Sequence, residues 1–284
     1  VSALTVALPA HRRSVASRVL PRRLRHLVVV VTTPVVALLA SWWVFLALIH
    51  TSPLIAKTPI DVWRELTSDP DAAATRSVLI SGLWTTLGHS FVGLAAGTVA
   101  ACVLAAAVTT SQLAAVVVRP VAVGLTCVPT VAFAPLLILI FPRGVIVVAM
   151  IGGLVTMVPT LYYLLEGLRS VSPQLVDAIR VGGGRRREVL VYAQLPTAVP
   201  ALALSLRIAA PGAIIGALLS EWLATGDGLG LQMILGQSTF HYGLVWAATF
   251  LVTVIGMAMY GAAVVVESRL ISRWAPDRDG SEVG

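Results

Sequence analysis

The sequence predicts an all-α polytopic membrane protein, with six transmembrane helices and a cytoplasmic helix–turn–helix loop. Three observations predict it. Of 284 residues, 57% are hydrophobic and 12% charged, against roughly 25% charged in average soluble domains. The charges avoid six stretches, each long enough to supply the ~20 apolar residues that a membrane-spanning helix needs. The arginines then crowd into alternate connections between those stretches.

The expected spans are residues 27–50, 85–108, 120–141, 144–165, 198–220 and 243–266, and Arg207 is the one formal charge inside them. The first reads as a retained signal anchor. Its apolar run is too long for a cleaved leader, and no small-x-small cleavage site follows it before Thr51-Ser52-Pro53. The second can extend outward through 77–84. The third and fourth are divided by Phe141-Pro142-Arg143-Gly144, a tight turn punctuated by proline and glycine. Prolines 120, 129, 135, 159, 200 and 211 fall in or near the spans. Such breaks are tolerated where neighbouring helices or a water-filled cavity satisfy the freed backbone groups. Pro129 and Pro135, with Arg207, are the candidate lining of a path through the bundle; a packing kink is an equally good reading of any one proline.

Orientation follows from the loops. Residues 1–26, 109–119, 166–197 and 267–284 carry fifteen arginines, whereas the opposite side carries Lys57, Arg64, Arg76 and Arg143. The basic side faces the cytoplasm, so both termini are expected there. The chain then divides into a basic cytoplasmic segment 1–26, a transmembrane domain 27–266 containing loop 166–197, and a cytoplasmic tail 267–284. The net charge of +7 is thus a topological signal, and no nucleic-acid role is expected. Lys57 is the single lysine and lies on the outer side. A phosphate-binding Gly-x-x-x-x-Gly-Lys-Ser/Thr loop therefore cannot be built here, and any ATP used must be bound by another chain.

In the outer segment 51–76, Thr58 can cap a short helix with Pro59 in its first position. Trp63 and Leu66 share a face of it, expected against the bilayer interface or the bundle. The longest cytoplasmic loop, 166–197, is more informative. Ser172-Pro173 opens a helix with Leu175, Val176, Ala178 and Ile179 as an apolar stripe. Gly182-Gly183-Gly184 stops it, because glycine accepts the positive backbone angles of a sharp turn. A second helix runs from Arg185-Arg186-Arg187-Glu188 and is expected to end at Leu195-Pro196.

This loop resembles the cytoplasmic loop of bacterial ABC importer permeases, whose pattern is Glu-Ala-Ala, three residues, Gly, nine residues, Ile-x-Leu-Pro. Here Asp177-Ala178-Ile179 stands at the triplet, Gly183 follows after three residues, and Ala193-Gln194-Leu195-Pro196 after nine more. Ala178, Gly183, Leu195 and Pro196 match; Asp177 keeps the charge; Ile179 and Ala193 depart. Residues 27–274 resemble the branch that imports nitrate, taurine and aliphatic sulfonates. The likeness is carried by Ser52-Pro53, Pro59, Val62-Trp63, Gly93-x-x-x-Gly97, Val128-Pro129-Thr130-x-Ala132-x-Ala134-Pro135-Leu136 and Gly226-x-Gly228-Leu229-Gly230. The turn 141–144 is shorter than that branch's glycine-rich loop, so no residue roles carry over there.

The resemblance implies a non-catalytic permease in a bacterial plasma membrane, in contact with membrane lipid. It implies a second permease subunit, identical or paralogous, an ATPase dimer that holds ATP and Mg, and an external substrate-binding protein. This chain itself would bind no cofactor or metal. Asp177, Ala178, Gly182, Gly183, Arg185, Arg186, Leu195 and Pro196 would then form the coupling element seated on the ATPase. The solute would be a small compound such as a sulfonate, taurine or nitrate, for which Arg207 is the candidate attractor. Arg207 could equally snorkel or pair with backbone carbonyls. Glu221 lies about 21 Å further along a straight helix, so the two cannot pair, and Glu221-Trp222 is expected at the outer interface. Gly93-x-x-x-Gly97 permits close helix packing. Cys102 and Cys127 read as reduced packing residues, and His11, His26, His50, His89 and His241 show no metal-ligand spacing.

Two other classes were weighed. An intramembrane hydrolase finds a near-match in Gly88-His89-Ser90-Phe91-Val92, but Val92 replaces the last glycine of the elbow and the segment is a span rather than a strand-to-helix turn. A secondary transporter would normally place acidic residues deep in its spans, and none is expected there.

Overall fold

The computed structural model describes residues 36–37, 39–48, 52, 54–127 and 129–274. Residues up to Ser52 and residues from Pro53 form two separate units. The first contributes the short apolar helix α1 (Leu39–Leu48). Residues 27–35, 38 and 49–50 of the first expected span, the basic segment 1–26 and residues 275–284 lie outside the described residues.

Every regular element among the described residues of the second unit is a helix. Its elements are α2 (Pro59–Thr67), α3 (Ala72–Thr110), α4 (Gln112–Cys127), α5 (Thr130–Ile140), α6 (Val145–Arg169), α7 (Pro173–Val181), α8 (Arg186–Val189), α9 (Leu195–Ser220), α10 (Gly228–Ser238) and α11 (Tyr242–Trp274). One π-helical turn, Leu190–Gln194, joins α8 to α9, and a second, Glu221–Thr225, follows α9. Among the described residues four stretches are long and apolar enough to cross a membrane: Ala72–Thr110, Val145–Arg169, Arg186–Thr225 and Tyr242–Arg273. They correspond to the expected second, fourth, fifth and sixth spans, each extended at one or both ends.

The expected third span, 120–141, is not one helix. It is shared between α4 and α5, which meet at Pro129 with a non-helical ψ of 123°. Pro129 has no N–H to give to a continuing helix, and it stands as the residue before α5. At about 1.5 Å per residue α5 is too short to cross ~30 Å of hydrocarbon alone. The turn after it is as expected, with Gly144 at φ 127° before α6.

α6 forms the centre, packed against α3 and α9, with α11 on the far side of α9. The buried face of α3 is Leu79, Gly82, Thr86, Ser90, Gly93, Gly97, Ala101 and Ala105. Its three- and four-residue spacing keeps one seam facing the partner helix, and its small side chains let the backbones approach. A Cβ on Gly93 would lie 2.8 Å from Gly152 Cα, and one on Gly216 would lie 2.6 Å from the same atom. Gly152 is therefore the meeting point of α3, α6 and α9. The Thr156 hydroxyl donates to the Gly93 carbonyl at 3.0 Å, adding a polar tie where side-chain packing is thinnest.

Candidate functional site

The loop between α6 and α9 folds as an exposed knob. No residue of α7 is buried, and Asp177 and Ala178 are exposed. The helix ends in a Schellman motif: Gly183 N–H donates to the Arg180 carbonyl at 3.0 Å and Gly184 N–H to the Ile179 carbonyl at 2.8 Å. Gly183 takes φ 87° with open space around it, so glycine is required there by backbone conformation. Gly184 is required by space, since a Cβ would lie 2.5 Å from Ile179 Cγ2. Gly182 is the C-cap, with a negative φ of −70° that other residues also adopt.

The chain then re-enters helix. Arg185 N–H donates to Glu188 Oε2 at 2.9 Å, and Arg186 Nη1 reaches the Thr110 carbonyl at 3.4 Å. That carbonyl is one of the orphan acceptors at the end of α3, so Arg186 anchors the knob to the bundle. The expectation that Leu195-Pro196 ends this helix is overturned. The π turn passes the chain into α9 without interruption, Leu195 N–H donating to the Leu190 carbonyl. The wider turn accommodates a proline that has no N–H to give and whose ring would crowd a regular α-turn. Asp177, Ala178, Gly182, Gly183, Arg185 and Arg186 thus gather on the knob. Leu195 and Pro196 instead line an apolar cavity of about 350 Å³ with Cys102, Leu164 and Val199.

Arg207 is held between α9 and α11. Its Nε donates to the Tyr260 hydroxyl at 2.8 Å and its Nη1 to Glu267 Oε2 at 3.2 Å. The guanidinium carbon lies 5.2 Å from the centre of the Tyr260 ring, within cation–π range. Glu267 is largely buried and also borders a cavity of about 610 Å³ with Tyr163, Glu166, Thr197 and Pro200. The sequence reading missed this partner because Glu267 falls one residue beyond the expected sixth span. Pro129, just before α5, and Pro135 within it are exposed, and Arg207 faces α11.

The second missed residue is Glu221. Its side chain is fully buried inside the protein. One oxygen accepts from the Thr86 hydroxyl at 3.0 Å and Gly230 N–H at 2.8 Å, and the other faces His89 Nδ1 at 3.0 Å. Thr86 also accepts from Leu229 N–H at 2.9 Å. The carboxylate therefore sits at the positive end of α10, where free amide donors favour an anion. Gly228, at φ 71°, leaves no room for a Cβ beside that carboxylate. A buried acidic side chain thus stands just past the expected fifth span, 198–220. The available signal was Glu221 followed by Gly226-x-Gly228-Leu229-Gly230, glycines that let the chain fold back over the acid. Trp222 is part-exposed. Among the described residues no three His, Cys, Asp or Glu side chains form a set that could hold a metal ion.

Residues 93–272 match the protein family described as binding-protein-dependent transport system inner membrane component. The chain is 30% identical over 155 residues to the riboflavin transport system permease protein RibX of Chloroflexus aurantiacus, covering 55% of this chain and 58% of that one. It is 30% identical over 175 residues to a probable ABC transporter permease protein of Haemophilus influenzae, covering 62% and 71%. It is 26% identical over 197 residues to the formylaminopyrimidine transport permease protein ThiX of Halalkalibacterium halodurans, covering 69% and 79%. The fold is also that of a chain in inward-facing crystals of the MetNI methionine ABC transporter (TM-score 0.58, 15% identity, 69% of this chain and 98% of that one). A chain of an amino acid ABC transporter crystallised with histidines fits equally well (TM-score 0.58, 18% identity, 72% and 99%).

Proposed function

The chain belongs to the family of binding-protein-dependent transport system inner membrane components, and from that premise we propose that it is the permease subunit of an ATP-driven importer. It would pair with a second permease subunit and would receive its solute from an external binding protein. An ATPase dimer would supply the energy, binding ATP and Mg on chains other than this one. The observation that carries the coupling role is the exposed α7–Gly183–α8 knob. It is small, its turn is fixed by glycine conformation, and Arg186 ties it to the end of α3. A load applied to the knob would pass directly into α3 and, through the unbroken helix, into α9. Asp177 and Arg185 would offer charged hydrogen bonds at its rim. By the arginine distribution the knob faces the cytoplasm of a bacterial inner membrane, with both termini on the same side.

For the solute, the relatives that carry riboflavin and formylaminopyrimidine in their names support a small heterocyclic compound. The Arg207–Glu267 pair weighs in the same direction, because the carboxylate at 3.2 Å already balances the guanidinium charge that would attract an anion. A sulfonate, taurine or nitrate is the competing solute class. The deciding experiment is uptake into proteoliposomes holding the complete complex, with riboflavin, formylaminopyrimidine, taurine and nitrate as probes. ATP-dependent uptake of a heterocycle supports the reading, and uptake of the anions alone overturns the solute assignment. Gly183→Trp should abolish both uptake and solute-stimulated ATP hydrolysis in a normally assembled complex. If both survive, the knob is a passive cap.

A further inference from the structure

Beneath the knob lies the apolar cavity of about 350 Å³ between α3, α6 and the start of α9. Its walls include Cys102 and Ala106 of α3, Leu164 of α6, and Leu190, Val191 and Leu195 on the run from α8 into α9. Every lining side chain is apolar apart from the Cys102 thiol. A buried water is held by about three polar partners, and these side chains do not supply them. Val191 and Leu195 are 44% and 46% exposed, so the cavity opens along the side of α9.

The mouth of this cleft is cationic. Arg186 and Arg187 stand four residues before Leu190 and Val191, one turn further out on the same faces. Thr110 stands one turn beyond Ala106 on α3, and its carbonyl accepts from Arg186 Nη1 at 3.4 Å. The ion pairs of arginine among the described residues are those of Arg64, Arg169 and Arg207. No described carboxylate therefore pairs with Arg186 or Arg187. Glu188, the acid of α8, is turned back to the Arg185 N–H at 2.9 Å. Arg186 also opens the stretch Arg186–Thr225, which is long and apolar enough to cross a membrane. Both arginines thus stand at headgroup level. Tyr192, which is exposed, lies just inside them, where aromatic side chains concentrate at the membrane–water interface.

Apolar depth under a cationic rim at the membrane surface complements an anionic lipid. We propose that the cleft between α3 and α9 holds one acyl chain of an anionic phospholipid, whose phosphate lies against Arg186 and Arg187. The first expected span of this chain is a poorer occupant. It is preceded by Arg22, Arg23 and Arg25, which would come to the same membrane level and repel the two arginines. The lipid would fill the gap directly beneath the Arg186–Thr110 tie, between the two helices that meet the knob. The cytoplasmic leaflet is its source, because the arginine distribution assigns the knob to that side. The site itself needs only a chain embedded in a membrane and does not depend on transport.

The test is native mass spectrometry of the full chain in non-ionic detergent. The chain is titrated with phosphatidylglycerol, with phosphatidylcholine of the same acyl chains, and with glycerol phosphate. The wild type should hold one phosphatidylglycerol per chain at least about ten-fold more tightly than phosphatidylcholine, and glycerol phosphate should not displace it. Arg186→Gln with Arg187→Gln should bring the two lipids to equal affinity. Ala106→Phe, which puts a ring into the cleft, should remove the tightly held copy. Because that ring could also disturb the packing of α3, the unaltered protein is crosslinked to phosphatidylglycerol carrying a diazirine in its acyl chain. Adducts should fall on segments 102–106 and 190–199. Equal wild-type affinity for the two lipids overturns the site, and is the result expected if the first span or a second copy fills the cleft. A preference that survives loss of both arginines overturns it as well, as do adducts spread evenly over the exposed faces of α3 and α11. Glycerol phosphate bound as tightly as the lipid would make the arginines a site for soluble anions instead.

Discussion

Gly93 of α3 and Gly152 of α6 touch backbone to backbone, so that a Cβ on either would lie 2.8 Å from the other's Cα. Close contact of this kind replaces side-chain interdigitation as the adhesive between helices in lipid, where the hydrophobic effect offers little. Gly93→Leu should therefore force α3 and α6 apart and destabilise by about 1–3 kcal/mol, the usual range for overpacking. Gly88, on the same helix, has nothing within 4 Å of its notional Cβ. Gly88→Ala should be neutral or stabilise by roughly 0.5–1 kcal/mol through helix propensity. Thermal unfolding of the two variants in one detergent checks both; equal effects would mean the glycine seam is not what holds α3 to α6.

Gly183 and Gly182 are adjacent but differ in what they require. Gly183→Ala places a side chain at φ 87°, at a cost of about 1–2 kcal/mol. Gly182→Ala keeps a negative φ of −70° and should have little effect on fold. Protease susceptibility of loop 172–186, followed in the purified protein, should rise for the first variant and stay unchanged for the second.

Arg207 and Glu267 hold α9 to α11. Glu267→Gln keeps a hydrogen-bond acceptor for the guanidinium and should be tolerated. Arg207→Leu leaves the largely buried Glu267 charge unpaired and should lower thermal stability further than Glu267→Gln, because a lone buried charge costs more than a lost pair gains. The double variant Arg207→Leu, Glu267→Leu should recover part of the loss. A strictly additive double variant would show that the two side chains do not depend on each other.

The capping box of α2 gives a pH dependence outside the membrane. The Thr58 hydroxyl and backbone N–H both donate to Asp61, at 2.7 and 2.9 Å, and hold its carboxyl below the ordinary carboxylate range. A depressed folded-state pKa means the contribution to helix stability is complete above the ordinary Asp value and is lost as pH falls through the lower, folded one. Thr58→Ala should raise the Asp61 pKa toward the ordinary value and weaken α2 by about 1 kcal/mol. Carbon-detected titration of the Asp61 carboxyl reads this directly, and an unchanged midpoint in Thr58→Ala would exclude the cap as the cause.

What the sequence determined by itself was whatever depends on local pattern. Apolar length without charge specifies crossing helices, and four of the six expected spans are found as such. Proline at a first helical position specified α2 and α7, and a glycine triplet specified the knob between α7 and α8. What only the tertiary structure decided was pairing between distant residues. Arg207 looked solitary because Glu267 and Tyr260 are more than fifty positions away and become neighbours only when α9 packs on α11. The burial of Glu221 was not legible because its three partners come from α3 and the start of α10, and the π turn that carries it has no separate sequence mark. The expected third span breaks at Pro129, where ψ is 123°, because a proline can bend a helix or end it and the apolar pattern does not say which. Hydrophobicity and backbone conformation act residue by residue and can be read in one dimension. Satisfaction of buried charge needs a partner in space, and its resolution here belongs to the folded chain.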